Sequence, residues 1–172
     1  MEILIPGLIL VGLMVWLSTR IKRNASAAFD AERVETDELV VDKPAGLLHV
    51  LNDKSGLLFR AYSKDFGTIG RREIRQATIE VERHAGIKLD DVIASVKAAS
   101  ESFRAEPIYM DRGERALNAH SVRTRDGAEL EIVHKFVTRG PDVIEARGEV
   151  LAEHKEAHSD QIASAIDTLQ VK

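Results

Sequence analysis

Two histidines near the C-terminus are the residues whose type and spacing come closest to a reactive centre. His154 and His158 are four residues apart, with Glu153, Glu156 and Asp160 around them. One helical turn would bring two imidazoles at this spacing to one side, where they can bind a zinc ion. However, the stretch HKEAH lacks the glutamate directly after the first histidine that the metalloprotease motif requires. It also lies where a strand is predicted to give way to a helix cap. A solvated charged linker is therefore the preferred interpretation, and no metal or other cofactor is predicted.

A glycine-rich loop is the second candidate. Residues 66–72 read FGTIGRR, and the possible phosphate ligands in this loop are Gly67, Gly70, Arg71 and Arg72. Successive backbone amides in such a loop can form an anion-binding concavity. The glycine spacing is not that of a P-loop or a dinucleotide fingerprint, and the loop precedes a strand where those motifs precede a helix. A surface turn is the preferred interpretation. The basic residues could also form a patch that faces an acidic partner or lipid headgroups.

The remaining histidines carry no recognisable catalytic motif. His134 lies on an apolar strand face, where it could carry a proton, but a hydrogen-bonded core histidine is the commoner arrangement and is what we expect. His49 and His120 have no serine or carboxylate at a motif spacing.

Composition narrows the chemistry further. The 172 residues include no cysteine, which excludes disulfides, thiolate catalysis and cysteine-ligated metal centres. The formal net charge is −4. The first 23 residues contribute +2, so the rest of the chain carries −6. Because binding to phosphates requires a net basic surface, nucleic acid is not predicted as a partner.

Residues 1–23 are predicted to form a single transmembrane helix. The run from Ile3 to Thr19 contains no charged residue. As a helix it would span only about 25 Å, against roughly 30 Å of hydrocarbon core, so its flanks must complete the span. The predicted anchor residues at the membrane interface are Trp16, Arg20, Lys22 and Arg23.

The charges around this helix predict both its retention and its orientation. A secretory signal carries its positive charge before the apolar stretch, whereas here Glu2 precedes it and the cations follow it. Cleavage after the small residues at positions 25–27 is therefore the less favoured alternative. Because cations favour the cytoplasmic side, we expect the N-terminus outside and the rest of the chain in the cytoplasm, at the cell (inner) membrane.

Short strands dominate the remaining pattern. Residues 24–36 are alanine-rich and predict a helical stalk or linker, and residues 37–172 predict one soluble domain. Its first strands are expected at 38–43, in a hairpin over 47–62, and around the alternating Ala77, Ile79 and Val81. From residue 116 onward, an antiparallel meander is predicted, with turns at 126–127 (Asp-Gly) and 139–142.

Two helices complete the predicted domain. The first covers Lys88 to Phe103, and the second has Ser159 as its N-cap and an apolar stripe of Ile162, Ile166 and Leu169. The pattern therefore predicts an α+β domain in which a mostly antiparallel sheet has its buried face covered by two helices.

The order of these elements resembles the PsbP-like family, whose fold is similar to that of a Ran-binding nuclear-import factor. The features that carry the resemblance over roughly residues 37–171 are the run GIKLDDVIASVKAASESF at 86–103, Arg112-Gly113 before a strand, the Asp126-Gly127 hairpin, the strand at 143–151 and the final IDTLQV. The resemblance implies a sheet sandwiched by helices that acts as a binding or assembly module and is typically not an enzyme. No family site motif matches this chain. Many bacterial relatives are exported lipoproteins, whereas this chain has no cysteine to lipidate.

These observations predict a non-enzymatic single-pass membrane protein. Its cytoplasmic domain would bind a protein partner in or at the membrane, as an accessory or assembly factor of a membrane complex, with the bilayer bound through residues 1–23. One alternative is a membrane-tethered, metal-assisted hydrolase that uses His154 and His158. Another is a carrier domain for a small molecule or lipid, which needs an apolar cavity between sheet and helices. No oligomeric state is predicted.

Overall fold

The computed structural model of the chain describes residues 13–20, 26–51, 53–67 and 74–172. Residues 13–20 form helix α1, whose apolar side chains at positions 13–17 are all exposed. No helix within these described ranges is long and apolar enough to cross a membrane. The rest of the predicted anchor, including Lys22 and Arg23, lies outside the described residues.

Strands are the main regular element of the described chain. In chain order they are β1 (Glu32–Glu35), β2 (Leu39–Lys43), β3 (Leu47–His49), β4 (Phe59–Ser63), β5 (Ala77–His84), β6 (Ser102–Ala105), β7 (Tyr109–Asp111), β8 (Glu114–Arg125), β9 (Ala128–Arg139), β10 (Asp142–Leu151) and β11 (Gln170–Val171). The helices are α2 (Leu89–Ala98), between β5 and β6, and α3 (Lys155–Thr168), which follows a 3₁₀ turn at Ala152–His154.

The strands form two antiparallel sheets. The large one has eight strands in the order β3-β4-β5-β10-β9-β8-β6, with β7 also paired to β8, and the small one has the order β1-β2-β11. The predicted meander is confirmed, because Arg125 pairs with Ala128 across the Asp126-Gly127 turn. Both turn residues have positive φ (52° and 72°), as the tight hairpin turn requires.

The two helices pack on opposite faces of the large sheet. Neighbouring residues of a strand point to opposite faces, and on β10 both Val143 and Ile144 are buried. Val143 belongs to the cluster with Leu89 and Val92 of α2, whereas Ile144 belongs to the cluster with Ile162 of α3. We call these sides the α2 face and the α3 face. The expectation that both helices cover one buried face is wrong, and the sandwich implied by the PsbP-like resemblance is what forms.

Close packing joins α3 to the α3 face. A Cβ added to Gly148 of β10 would lie 2.2 Å from Ile162 Cγ2, so only glycine allows the helix this approach. The small sheet packs on the same side, because Leu39 and Val41 belong to the same core cluster as Ile162.

The buried Lys43 ties the start of the domain to the small sheet. Its ammonium donates hydrogen bonds to the carbonyls of Ala28, Asp30 and Leu47, the last at 2.9 Å. Burial lowers the pKa of Lys43, and the nearby Glu32 partly opposes that shift.

Three element boundaries differ from the predictions. The first helix ends at Ala98, and Phe103 reaches the same apolar cluster from β6, which is why the helical spacing appeared to continue. The last helix begins at Lys155, so Ser159 lies inside it and HKEAH is not a linker. The stalk predicted over 24–36 includes strand β1, because Val34 is buried against the domain core.

Candidate functional site

A groove lies between α3 and the edge of the large sheet. Helix α3 packs on β10, β9 and β5, and β8 and β6 continue the sheet beyond it. Two cavities of about 550 and 360 Å³ occupy the space between α3 and these outer strands. They share His120, Val133 and Ala163 and are therefore adjacent. We call this space the α3–β6 groove, and its size is in the range of ligand-binding clefts.

The groove has an apolar floor. Alternation along the strands brings every second residue of β8 and β9 to the α3 face. The apolar side chains that line the groove include Val122, Val133 and Val150 on this face of the sheet and Ala163 on α3. Such a floor can accept small apolar side chains, and the strand backbone beside it is at the sheet edge.

Two basic side chains on this floor have no partner among the residues that the structure describes. Arg104 of β6 and His120 of β8 are paired in the strand register and so stand next to each other on one face. Both are exposed and line the larger cavity. Neither side chain has a hydrogen bond or ion pair within the described ranges. Lys155 at the helix wall differs, because its ammonium binds Glu131 at 2.8 Å.

Acidic side chains line the groove on both sides. Glu106, directly after β6, and Asp167 of α3 line the smaller cavity, and Asp160 of α3 lines the larger one. The end of α3 is held by Lys135, whose buried ammonium binds the carbonyl oxygens of Asp167 (2.9 Å) and Leu169 (3.0 Å). A cation at a helix C-terminus satisfies carbonyls that have no helical partner and interacts favourably with the helix dipole. The groove wall is therefore firmly positioned.

A chain of buried polar groups lies on the α2 face. Ser121 Oγ is 2.8 Å from His134 Nε2, and His134 Nδ1 is 3.0 Å from Glu145 Oε1. The other carboxylate oxygen, Oε2, is 2.9 Å from His84 Nε2. Ser121, His134 and Glu145 are each about 3% exposed. The prediction of a hydrogen-bonded core histidine at position 134 is confirmed.

The carboxylate is the acceptor at the centre of this hydrogen-bonded network. Burial alone raises the pKa of Glu145, but hydrogen bonds from His134 and His84, together with the charge of His134 and Arg147, outweigh it and lower that pKa. A charged Glu145 accepts hydrogen bonds from His134 Nδ1 and His84 Nε2.

The distances match those of a serine–histidine–acid triad, but the surroundings do not. Ser121 lies within β8, which pairs with β9 on one side and with β6 on the other. The backbone amides around Ser121 are therefore used in sheet hydrogen bonds and cannot stabilise an oxyanion. The adjacent cavity, of about 210 Å³ under α2, is lined by charges that pair with each other, such as Arg123 with Glu149 at 2.6 Å. We interpret the hydrogen bonds among Ser121, His134 and Glu145 as a structural network.

The predicted histidine pair does not form a metal-ligand cluster. His154 lies in the 3₁₀ turn, with its Nε2 3.8 Å from Glu153, and His158 in α3 contacts Gln76 through Nε2 at 3.3 Å. Burial, with the charge of His154 as a smaller cause, lowers the pKa of His158. Within the described ranges no three metal-ligating side chains lie close enough to share an ion.

The glycine-rich loop is only partly described. Gly67 donates its amide hydrogen to the carbonyl of Ile74 at 2.9 Å, so this amide is already used inside the protein. The nearby Arg75 lies over the ring of Phe66 and donates to the carbonyl of Lys64 at 2.7 Å. Gly70, Arg71 and Arg72 lie outside the described residues, and phosphate binding there stays a prediction.

Two of the predicted anchor residues are described, and they contact each other. The guanidinium of Arg20 lies 5.2 Å from the ring centroid of Trp16, one helical turn earlier on α1. Trp16 is 57% exposed. This pair presents an aromatic ring and a cation together.

Sequence reasoning missed the two structural features that matter most here. The Ser121–His134–Glu145 chain could have been found from the two hairpin turns, because two-residue turns fix which residues share a face. The position of His84 depends on pairing with β10, far along the sequence. The groove depends on where α3 crosses the sheet, and the one sequence signal for that crossing is Gly148 inside the strand pattern of β10.

Comparisons with known proteins identify the fold. No protein-family model matches the chain, and no curated protein matches it. Among solved structures, it is similar to LpqN, involved in cell envelope biogenesis of Mycobacterium tuberculosis (TM-score 0.58, 10% identity, 83% of this chain and 91% of that chain). It is also similar to cyanobacterial PsbP (CyanoP) from Synechocystis sp. PCC 6803, with a TM-score of 0.55 and 14% identity over 84% of this chain and 94% of that chain. A third similar structure is PA94 from Pseudomonas aeruginosa, a protein of unknown function described as a putative regulator. Its TM-score is 0.50, with 16% identity over 83% of this chain and 97% of that chain. The chain therefore has a PsbP-like fold, as its pattern of elements predicts.

Proposed function

We propose that this chain is a non-enzymatic, single-pass membrane protein whose soluble domain binds a protein partner in or at the membrane. Its role would be that of an accessory or assembly factor for a membrane complex. The observation that carries the proposal is the α3–β6 groove, an open cleft with an apolar floor and with basic groups that have no partner among the described residues. A cleft of this composition suits binding.

The sequence and the exposed face of α1 support membrane anchoring. Five consecutive apolar residues, at positions 13–17, are 46% to 64% exposed, which is costly in water and favourable in lipid. They belong to the uncharged run from Ile3 to Thr19, and the pairing of Trp16 with Arg20 suits a membrane interface. Membrane attachment would keep the groove close to a membrane complex.

The structural neighbours are compatible with this role. One of them is involved in cell envelope biogenesis, and another is a PsbP. At 10% and 14% identity these proteins support the fold of this chain, and the role remains our proposal. The metal-assisted hydrolase receives no support from the described residues around His154 and His158, which lack a third ligand.

The carrier function is the second candidate, because the groove has the apolar floor that a carrier needs. Its walls are charged and it is open along the sheet edge, whereas small-molecule sites usually bury most of the ligand surface. A carrier should retain lipid through purification, and native mass spectrometry of the detergent-solubilised chain would reveal that lipid.

The first experiment tests topology and partner together. A C-terminal tag on the full chain is expected to resist protease in intact spheroplasts and to be digested after lysis. After mild solubilisation, a defined membrane protein should co-purify in constant proportion. A matched chain with Arg20, Lys22 and Arg23 replaced by glutamate should lose the protection if these charges set the orientation. Digestion of the wild-type tag in intact spheroplasts would refute the cytoplasmic location, and reproducible absence of any co-purifying protein would refute the partner.

A further inference from the structure

We propose, on the basis of the function proposed above, that the partner binds by adding a strand to the sheet. An extended, acidic segment of a membrane protein pairs with the free edge of β6. Its alternate side chains enter the α3–β6 groove, and one carboxylate meets Arg104 and His120.

The free edge supplies the backbone contacts. β6 is the last strand in the order of the large sheet, and within the described residues it pairs only with β8. The N–H and C=O groups on its outer side therefore have no strand partner in the described part of the chain. Exposed edges of this kind accept extended peptides, for which main-chain hydrogen bonds provide affinity and side-chain pockets provide specificity.

The dimensions of the groove suit alternate side chains of such a segment. Each strand residue rises about 3.3 Å, so a segment matching the four residues of β6 is about 13 Å long. Side chains on one face then recur about every 7 Å. The groove contains two adjacent cavities, of about 550 and 360 Å³. Two alternate side chains of the segment can therefore each enter one cavity.

Charge selects an acidic segment. Arg104 and His120 stand opposite each other on neighbouring strands, so the guanidinium and a ring N–H can both donate to one carboxylate. The acidic wall around the smaller cavity, with Glu106 and Asp167, disfavours a second carboxylate there and suits a small apolar side chain. The expected segment thus has an acidic residue and, two positions away, an apolar one.

Photocrosslinking in native membranes tests the location of the partner. The full chain carries p-benzoylphenylalanine at position 164, on the rim of the groove, or at position 94, on the exposed side of α2, as the matched control. We expect an adduct from position 164 only, joined to an extended acidic segment of one membrane protein that mass spectrometry identifies.

Binding of the crosslinked segment tests the mode of docking. A synthetic peptide copying that segment should bind the full chain and slow hydrogen exchange of the amides at 102–105. Arg104→Glu should weaken this binding by about tenfold or more, because it replaces an attraction with a repulsion. Arg139→Glu makes the same charge change outside the groove lining and should leave binding unchanged. Ala163→Phe fills the groove and should also block the peptide, with Ala94→Phe as its control.

Each other outcome refutes a defined part of the proposal. An adduct from position 164 to lipid, or to a second copy of this chain, would refute the acidic segment as the occupant of the groove. A partner that co-purifies but crosslinks only through position 94 would refute strand addition and leave the partner-binding function intact. Peptide binding without protection at 102–105 would refute the added strand. If neither adduct nor co-purifying protein is found, both the strand addition and the proposed function fail.

Discussion

Replacing Glu145 with glutamine is the sharpest test of the buried network on the α2 face. The carboxylate joins His134 and His84 through its two oxygens, at 3.0 and 2.9 Å. Glutamine keeps the shape of the side chain but removes its charge and turns one acceptor into a donor. The variant therefore tests whether a charged carboxylate holds these two histidines in place.

The expected cost follows from the two contacts. A hydrogen bond to a charged group contributes about 1.5 to 3 kcal/mol. In Glu145→Gln, the amide oxygen can still accept one N–H, and the amide nitrogen can donate to the other ring once that ring carries its proton on its other nitrogen. Both hydrogen bonds to a charged group become weaker neutral ones, so we expect the free energy of unfolding to fall by about 2 to 3 kcal/mol.

The pH dependence of this loss has a definite sign. Because the pKa of Glu145 is lowered in the folded protein, its contribution is fully present above the pKa of an unfolded glutamate, about 4.3. The contribution is lost as the pH falls through the lower folded value. The difference between wild type and Glu145→Gln should therefore be largest near neutral pH and should shrink below about pH 4.

The measurement is urea unfolding of the full chain in a mild detergent, followed by far-ultraviolet circular dichroism. Tryptophan fluorescence is unsuitable, because the only tryptophan, Trp16, lies in the predicted anchor. Glu82→Gln is the matched control, since Glu82 pairs with Glu145 in the strand register but is 41% exposed and lies 3.7 Å from Arg147. The control should lose less than about 1 kcal/mol. A loss below about 0.5 kcal/mol at pH 7 for Glu145→Gln, or a loss that stays constant down to pH 3, would refute the reasoning.

Three further substitutions test buried contacts that hold the domain together, by the same unfolding measurement. Gly148→Ala should cost about 1 to 3 kcal/mol, because the new methyl group overlaps Ile162, and combining it with Ile162→Ala should cost less than the sum of the two; simple additivity would contradict direct contact. Lys43→Met should cost about 1 to 3 kcal/mol and speed amide exchange around residues 28–30, because the three carbonyls it serves lose their donor; unchanged exchange there would refute that tie. Lys135→Met should cost about 2 to 3 kcal/mol, because Asp111 loses its ion pair at 2.9 Å and the end of α3 loses its cation; unaltered amide exchange at that helix end would show that the cation is dispensable.

Local patterns predicted the parts of the fold whose partners are close in sequence. The meander follows from two short turns, and alternation in β5 correctly buried Ala77, Ile79 and Val81. The apolar stripe of the last helix, from Ile162 to Leu169, is buried as expected. These features depend on contacts within one hairpin or one helix, where periodicity carries most of the information.

Features that depend on distant partners were missed. Apolar periodicity showed that the strands after residue 115 bury side chains, but it did not show that Val143 and Ile144 are covered by different helices. The extension of the first helix to Phe103 failed for a related reason, since Phe103 contacts the same cluster from a strand. The groove exists because α3 crosses β10 at Gly148, and that crossing is determined by tertiary packing.

The two faces of the large sheet use their charges differently, and this difference favours the α3 face as the binding surface. On the α2 face, Arg147 is held by Glu80 at 2.6 Å, and Glu149 is held by Arg123. Disrupting such pairs to bind a ligand would leave partly buried charges unpaired, at a cost of several kcal/mol. On the α3 face, Arg104 and His120 are exposed and have no partner to lose within the described chain. An acidic partner therefore gains new contacts there without breaking old ones. Because the chain beyond residue 23 carries −6, weak long-range repulsion should suppress acidic partners that lack a segment fitting the groove.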